Sequence, residues 1–181
     1  IRDVAVTGVQ TCALPILLAT LLLAGCLEKS DGPVPLPQEL SSNSVAAFCG
    51  MSLAEHPGPK AQLFLKGQAD PVWFASVRDM FAYTLLPEEP KDIRAVYVND
   101  MGRARNWDRP EPGTWVDARK AVFVIGSRRQ GGMQQEEAVP FGTEQRARAY
   151  IAGNGGRIVG FTEVPASYVL PGMDPAPPTG G

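Results

Sequence analysis

Two ten-residue stretches, "FASVRDMFAY" at 74–83 and "FGTEQRARAY" at 141–150, match in outline: each opens on Phe, has a hydroxyl residue third and closes on Tyr. Each reads as a strand end, a helix N-cap and a helix, with Ser76 and Thr143 at the cap positions. Ser76 followed by Asp79 fits a capping box, and Val77, Met80, Phe81 and Leu85 have the spacing of one buried helical face. That makes Met80 a core residue. Apolar, strand-like pairs precede both helices, "AQLFLKG" and "PVWF" in the first half, "KAVFVIGS" and "EAVPF" in the second. A further strand follows each, "IRAVYVND" or "GRIVGFTEV". The expected fold is therefore α+β, two tandem ββαβ units with mainly antiparallel strands. The first unit, with the motif that precedes it, takes residues 48–100, the second takes 119–170, and 101–118 is expected as a connecting loop.

The N-terminal region reads as targeting sequence rather than fold. Its apolar run "ALPILLATLLLAGC" is too short for an ordinary membrane-spanning helix and ends in small residues, as a secretory h-region does. "LAGC" resembles the bacterial lipobox, which makes Cys26 the expected lipidated N-terminus and residues 1–25 a signal region. Residues 1–16 resemble a translated sequencing adapter and are read as non-native. The Pro- and Ser-rich stretch that follows, within 26–47, is expected as a lipid-anchored flexible tether. A flexible chain of roughly 20 residues has an r.m.s. span of about 25 Å. The Pro/Gly-rich residues 171–181 are expected as a disordered tail. A formal net charge of −2 and short, scattered basic clusters give no sign of a nucleic-acid surface.

Chemistry concentrates in "AAFCGMSLAEHPGP", residues 46–59, where Cys49, Met51 and the chain's single histidine, His56, lie within eight residues. Of the three cysteines, Cys12 falls in the adapter-like stretch and Cys26 at the lipobox. Cys49 is then a lone thiol in an exported protein, where structural cysteines are normally paired. A straight helix would separate Cys49 from His56 by about 10 Å along its axis, so convergence requires a loop. Gly50 permits that turn, and Pro57 biases His56 away from helical geometry. Thiolate and thioether donors favour Cu(I), whereas Zn(II) sites seldom include Met. Met133, in the Gly-rich "QGGMQQ", is a further candidate donor from the second half. The alternatives are a buried Cys49, a surface-loop His56 and a Met133 that is simply a loop residue.

Taken in order, "CGM…HPGP", "YVND…WVDARKAVFVIGS", "GGMQQEEAVPF" and "GGRIVGFTEV" resemble the NosL family of nitrous-oxide-reductase accessory proteins, from about residue 48 to 170. The resemblance implies a lipid-anchored periplasmic copper chaperone, with two ββαβ units related in fold to part of the organomercurial lyase MerB. It implies as partners nitrous oxide reductase and an ABC-type maturation complex, together with the membrane through the lipid. Gln134 stands where the family usually has Gly, and Ala75 where it often has Asp. Whether the copper ligands meet within one chain or across a homodimer is left open by the sequence. Two rival readings are a Cys–His thiol enzyme, MerB-like or acyl-transferring, and a purely structural lipoprotein. A third orienting group for such an enzyme is not identifiable in the sequence.

Overall fold

The computed structural model describes residues 32–132 and 134–172; the Cys26 and Met133 expectations, the signal region and most of the tail lie outside them. The two halves fold as the repeat predicts. In the first, β1 (Ala61–Leu65) and β2 (Val72–Phe74) lead into α1 (Val77–Leu85) and β3 (Ile93–Asn99). After β4 (Trp115–Asp117) the second half repeats the pattern with β5 (Val122–Ile125), β6 (Val139–Phe141), α2 (Glu144–Asn154) and β7 (Arg157–Gly160). A short α3 (Ala166–Val169) follows. The sheets run β2-β1-β3-β4 and β6-β5-β7, and all their pairs are antiparallel. In both units the first strand is thus flanked by the second and third.

The two helices start alike and end up differently. Ser76 is the N-cap of α1, its hydroxyl accepting from the Asp79 amide at 3.0 Å. Thr143 takes the same extended N-cap backbone but makes no side-chain cap bond. Helix α1 sinks Val77, Met80 and Phe81 into a core that also takes Ala61, Leu63 and Val98 from its own half and Phe123, Ala138 and Val159 from the other. Phe81 meets Phe123 edge-on with centroids 5.0 Å apart, so the two halves share one interior. Helix α2 buries only Ala147 fully. Leu85 departs from its expected buried face: it is 41% exposed because α1 ends there, the chain leaving helical geometry at Leu86 ahead of Pro87.

Two other expectations change. The 101–118 connection contains a strand, since β4 pairs Tyr97↔Asp117, Val98↔Val116 and Asn99↔Trp115 on the otherwise open edge of β3. Three residues carry too little pattern to be read as a strand in isolation.

Residues 32–44, expected as free tether, are laid along the first sheet by hydrogen bonds. Arg94 donates to the Gly32 and Pro33 carbonyls at 2.9 Å, and Tyr97 donates to Pro35 at 2.7 Å. The Gln38 amide donates to Gln62 Oε1 at 2.8 Å while Gln62 Nε2 donates back to the Gln38 carbonyl at 2.9 Å. Glu39 accepts from the Gly113 amide at 2.8 Å and from Trp115 Nε1 at 3.1 Å. This strap explains why every residue of β1 is buried: alternate side chains face α1, and Gln62, on the opposite face, is met by the strap.

Glu39→Ala removes the acceptor of Gly113 and of the buried Trp115 indole. We expect a loss of about 1–2 kcal/mol in urea unfolding with a red shift of tryptophan emission; unchanged stability and emission would show that the strap is not held there.

Candidate metal site

The residues before β1 form a turn pinned to the edge of β2. Ala46 N donates to Met51 O at 2.9 Å, Gly50 N to Ala46 O at 2.8 Å and Leu53 N to Ser44 O at 3.0 Å, while Ala47 N reaches across to Trp73 O at 2.8 Å. Gly50 sits at φ +66°, left-handed backbone that glycine adopts without a Cβ penalty. A 3-10 turn, Leu53–Glu55, follows with Leu53 buried beneath it, and His56 leaves that turn in extended geometry. The motif is a loop and not an α-helix, as the spacing requires.

This path brings Cys49 back to His56. The thiol Sγ lies 3.8 Å from His56 Nε2. On the other side of the ring, Nδ1 lies 3.2 Å from the Gly132 carbonyl, 76 residues further along the chain. A carbonyl can only accept, so Nδ1 carries the proton and donates it. In the neutral form of the ring this leaves the lone pair on Nε2, the nitrogen that faces the sulfur. His56 is 9% exposed, Cys49 is half-buried and free, and Met51 is 44% exposed on the same turn. Cys49 and His56 are thus brought together within one chain.

The second half reaches the site through glycine backbone. A Cβ on Gly132 would lie 2.7 Å from Pro57 O, 2.9 Å from Ala75 O and 2.9 Å from His56 Cβ, so no other residue fits without displacing a wall made largely of backbone. Gly58 (φ +88°) closes the junction on the first-half side, donating to Trp107 O at 3.1 Å. Motif reading singles out Met133 and passes over Gly132, whose only signal is that it is the second of two adjacent glycines.

Two buried ionisable groups lie behind this junction and carry no sequence signature. Lys60 is 2% exposed, its ammonium donating to Gly58 O; burial lowers its pKa to about 8, against the favourable charges of Glu137 and Asp108. Glu137 is 1% exposed. Burial pushes its carboxyl up to about 7, opposed by hydrogen bonds from the Arg78 and Ala138 amides. Among the described residues no group of three or more His, Cys, Asp and Glu is placed to hold a metal, and the donors that meet here are one thiol and one imidazole.

The family model of NosL matches residues 37–169. A relative from Achromobacter cycloclastes described as a copper-binding lipoprotein NosL is 42% identical over 153 residues, covering 84% of this chain and 79% of its own length. One of the same description from Stutzerimonas stutzeri is 36% identical over 152 residues, covering 82% and 78%. The crystal structure of the copper chaperone NosL from Shewanella denitrificans superposes with a TM-score of 0.70 at 34% identity, over 75% of this chain and 99% of that one.

The buried carboxyl gives a pH test of the junction. With its pKa raised from 4.5 to about 7, Glu137 holds its proton in the fold at pH values where the unfolded chain has released it. Its contribution is therefore full below pH 4.5 and lost as pH rises through 7, on the order of 3 kcal/mol in total. Urea unfolding of Glu137→Gln should lack this decline; a difference between parent and variant that is constant from pH 4.5 to 7 would refute the assignment.

Proposed function

The chain belongs to the NosL family, and from there we propose that it is a lipid-anchored envelope protein of the periplasm that carries copper as Cu(I). Its ligands are Cys49, Met51 and His56, with Met133 completing the set from the second half. The observation that carries this reading is the 3.8 Å approach of Cys49 Sγ to His56 Nε2, with Nδ1 engaged by the Gly132 carbonyl on the other side of the ring. That separation would let one soft ion be held by both donors, with a thioether as a further ligand.

The chemistry of each donor supports the role. Cu(I) displaces the proton of Cys49, which leaves to solvent as the copper–sulfur bond forms. His56 is oriented by the Gly132 carbonyl in the way metal-bound histidines are held by their outer partners. Met51, exposed at the rim, is a soft and adaptable ligand that can yield its place to an incoming donor. Exchange one ligand at a time suits delivery rather than storage. The recipients we propose are nitrous oxide reductase and its ABC-type maturation complex, with Cys26 as the lipidated residue. As a general base for a thiol enzyme, His56 would ordinarily be oriented by a carboxylate or amide side chain; here a backbone carbonyl takes that position.

Anaerobic Cu(I) titration of the soluble chain from Leu27, against a competing chelator, tests this. Cys49→Ser should abolish tight binding, and Met51→Ala or His56→Ala should each weaken it by about tenfold or more. Affinity should fall as pH drops, because protons compete for the thiolate and the imidazole. Full Cu(I) affinity in Cys49→Ser, or delivery to the maturation machinery no faster than release to a soluble chelator, would overturn the proposal.

A further inference from the structure

Glu137 is the one buried side chain among the described residues with an oxygen that has no hydrogen-bond partner, and its position relative to the metal site is specific. Oε1 accepts from the Arg78 amide in the first turn of α1 at 3.0 Å and from the Ala138 amide at 2.9 Å. Oε2 has no partner. It rests instead against Gly131, so closely that a Cβ there would lie 2.2 Å from it. Burying a carboxyl in this state is costly, and the contact it makes is with the residue next to Gly132.

The loop concerned is tight. Gln130 and Glu136 pair at its base, the Gly131 amide donates to Gln135 O at 2.9 Å, and Gln134 N donates to Gly131 O at 3.0 Å. Gln134 takes φ +55°, a left-handed turn residue. Glu137 is the first residue past the base. Its carbonyl accepts from Tyr168 at 3.0 Å, and Arg78, whose amide it accepts, donates from its side chain to Gln135 Oε1 at 3.2 Å. The side chain thus spans from the first half's helix to the second half's glycines, and those glycines meet His56.

We propose that Glu137 is a positioning residue for the metal site: by wedging the Gly131–Gly132 backbone against the start of α1, it presents the Gly132 carbonyl to His56 Nδ1 and so sets the tautomer that aims Nε2 at Cys49. Its consequence for copper rests on the function proposed above, but the tautomer is a property of the metal-free protein. Oε1 at the helix start needs only an acceptor, so Gln serves in place of Glu, whereas Ala leaves the loop without its wedge. Gly131→Ala attacks the same contact from the other side, because the new methyl and Oε2 cannot both occupy their places.

With a single histidine in the chain, the test is direct. Long-range ¹H–¹⁵N spectra of the full soluble chain, metal-free, report whether Nδ1 or Nε2 carries the proton, and Cu(I) competition titrations follow on the same samples. The parent and Glu137→Gln should show the proton on Nδ1. Glu137→Ala and Gly131→Ala should lose that preference and weaken Cu(I) binding by about tenfold. Ser76→Ala, which removes the other cap of α1, should lower stability without moving the tautomer. Should Glu137→Ala fail to fold, Gly131→Ala carries the test. Retention of the Nδ1 proton and of parental affinity in the folded variants overturns the proposal, as does an equal tautomer change in Ser76→Ala. A parent that takes up no Cu(I) while its tautomer still responds to Glu137→Ala refutes the copper reading and leaves the positioning role standing.

Discussion

The hydrogen bond from His56 Nδ1 to the Gly132 carbonyl is the contact on which the proposed metal site depends. It joins residues 76 apart in sequence, one from the loop before the first unit and one from the loop inside the second. A histidine in a solvent-exposed loop samples both tautomers and several ring orientations. Here the carbonyl engages Nδ1 and fixes the ring, so that Nε2 is the nitrogen that faces the Cys49 sulfur. The proposed site therefore depends on the association of the two halves, although Cys49, Met51 and His56 are near neighbours in the chain.

That association depends on the unequal fates of two similar ββαβ units. Helix α1 is swallowed by a core shared between them, with Phe81 against Phe123 and Phe161, while α2 remains largely at the surface. Placing α1 at the centre also puts its first turn beside the 130–136 loop, where Glu137 can reach it. A repeat whose two helices were equally exposed would have no such junction. At the contact, Gly132 lets two backbones approach to a distance that any side chain would forbid, Gly131 leaves room for the Glu137 carboxyl, and Gly58 supplies a left-handed turn.

The repeat, the α+β class and the loop that returns Cys49 to His56 were legible in the chain, because hydrophobic period, cap chemistry and short-range geometry decide them locally; β4, three residues long, was not. The strap over β1 was not, although "AQLFL" carried a trace of it: a strand with no polar alternation is covered on both faces, and Pro- and Ser-rich composition concealed what covers it. Gly132 and Glu137 were beyond reach for a different reason. Their importance lies in a long-range approach of two backbones, and nothing in a local window distinguishes Glu137 from Glu136 beside it.

Copper K-edge X-ray absorption of the Cu(I)-loaded protein measures the central claim most directly, since it reads the donor atoms themselves. The account predicts a mixed sulfur and nitrogen shell with the multiple-scattering signature of one imidazole, lost in His56→Ala while sulfur remains. A shell of sulfur alone, identical in the parent and in His56→Ala, would contradict it.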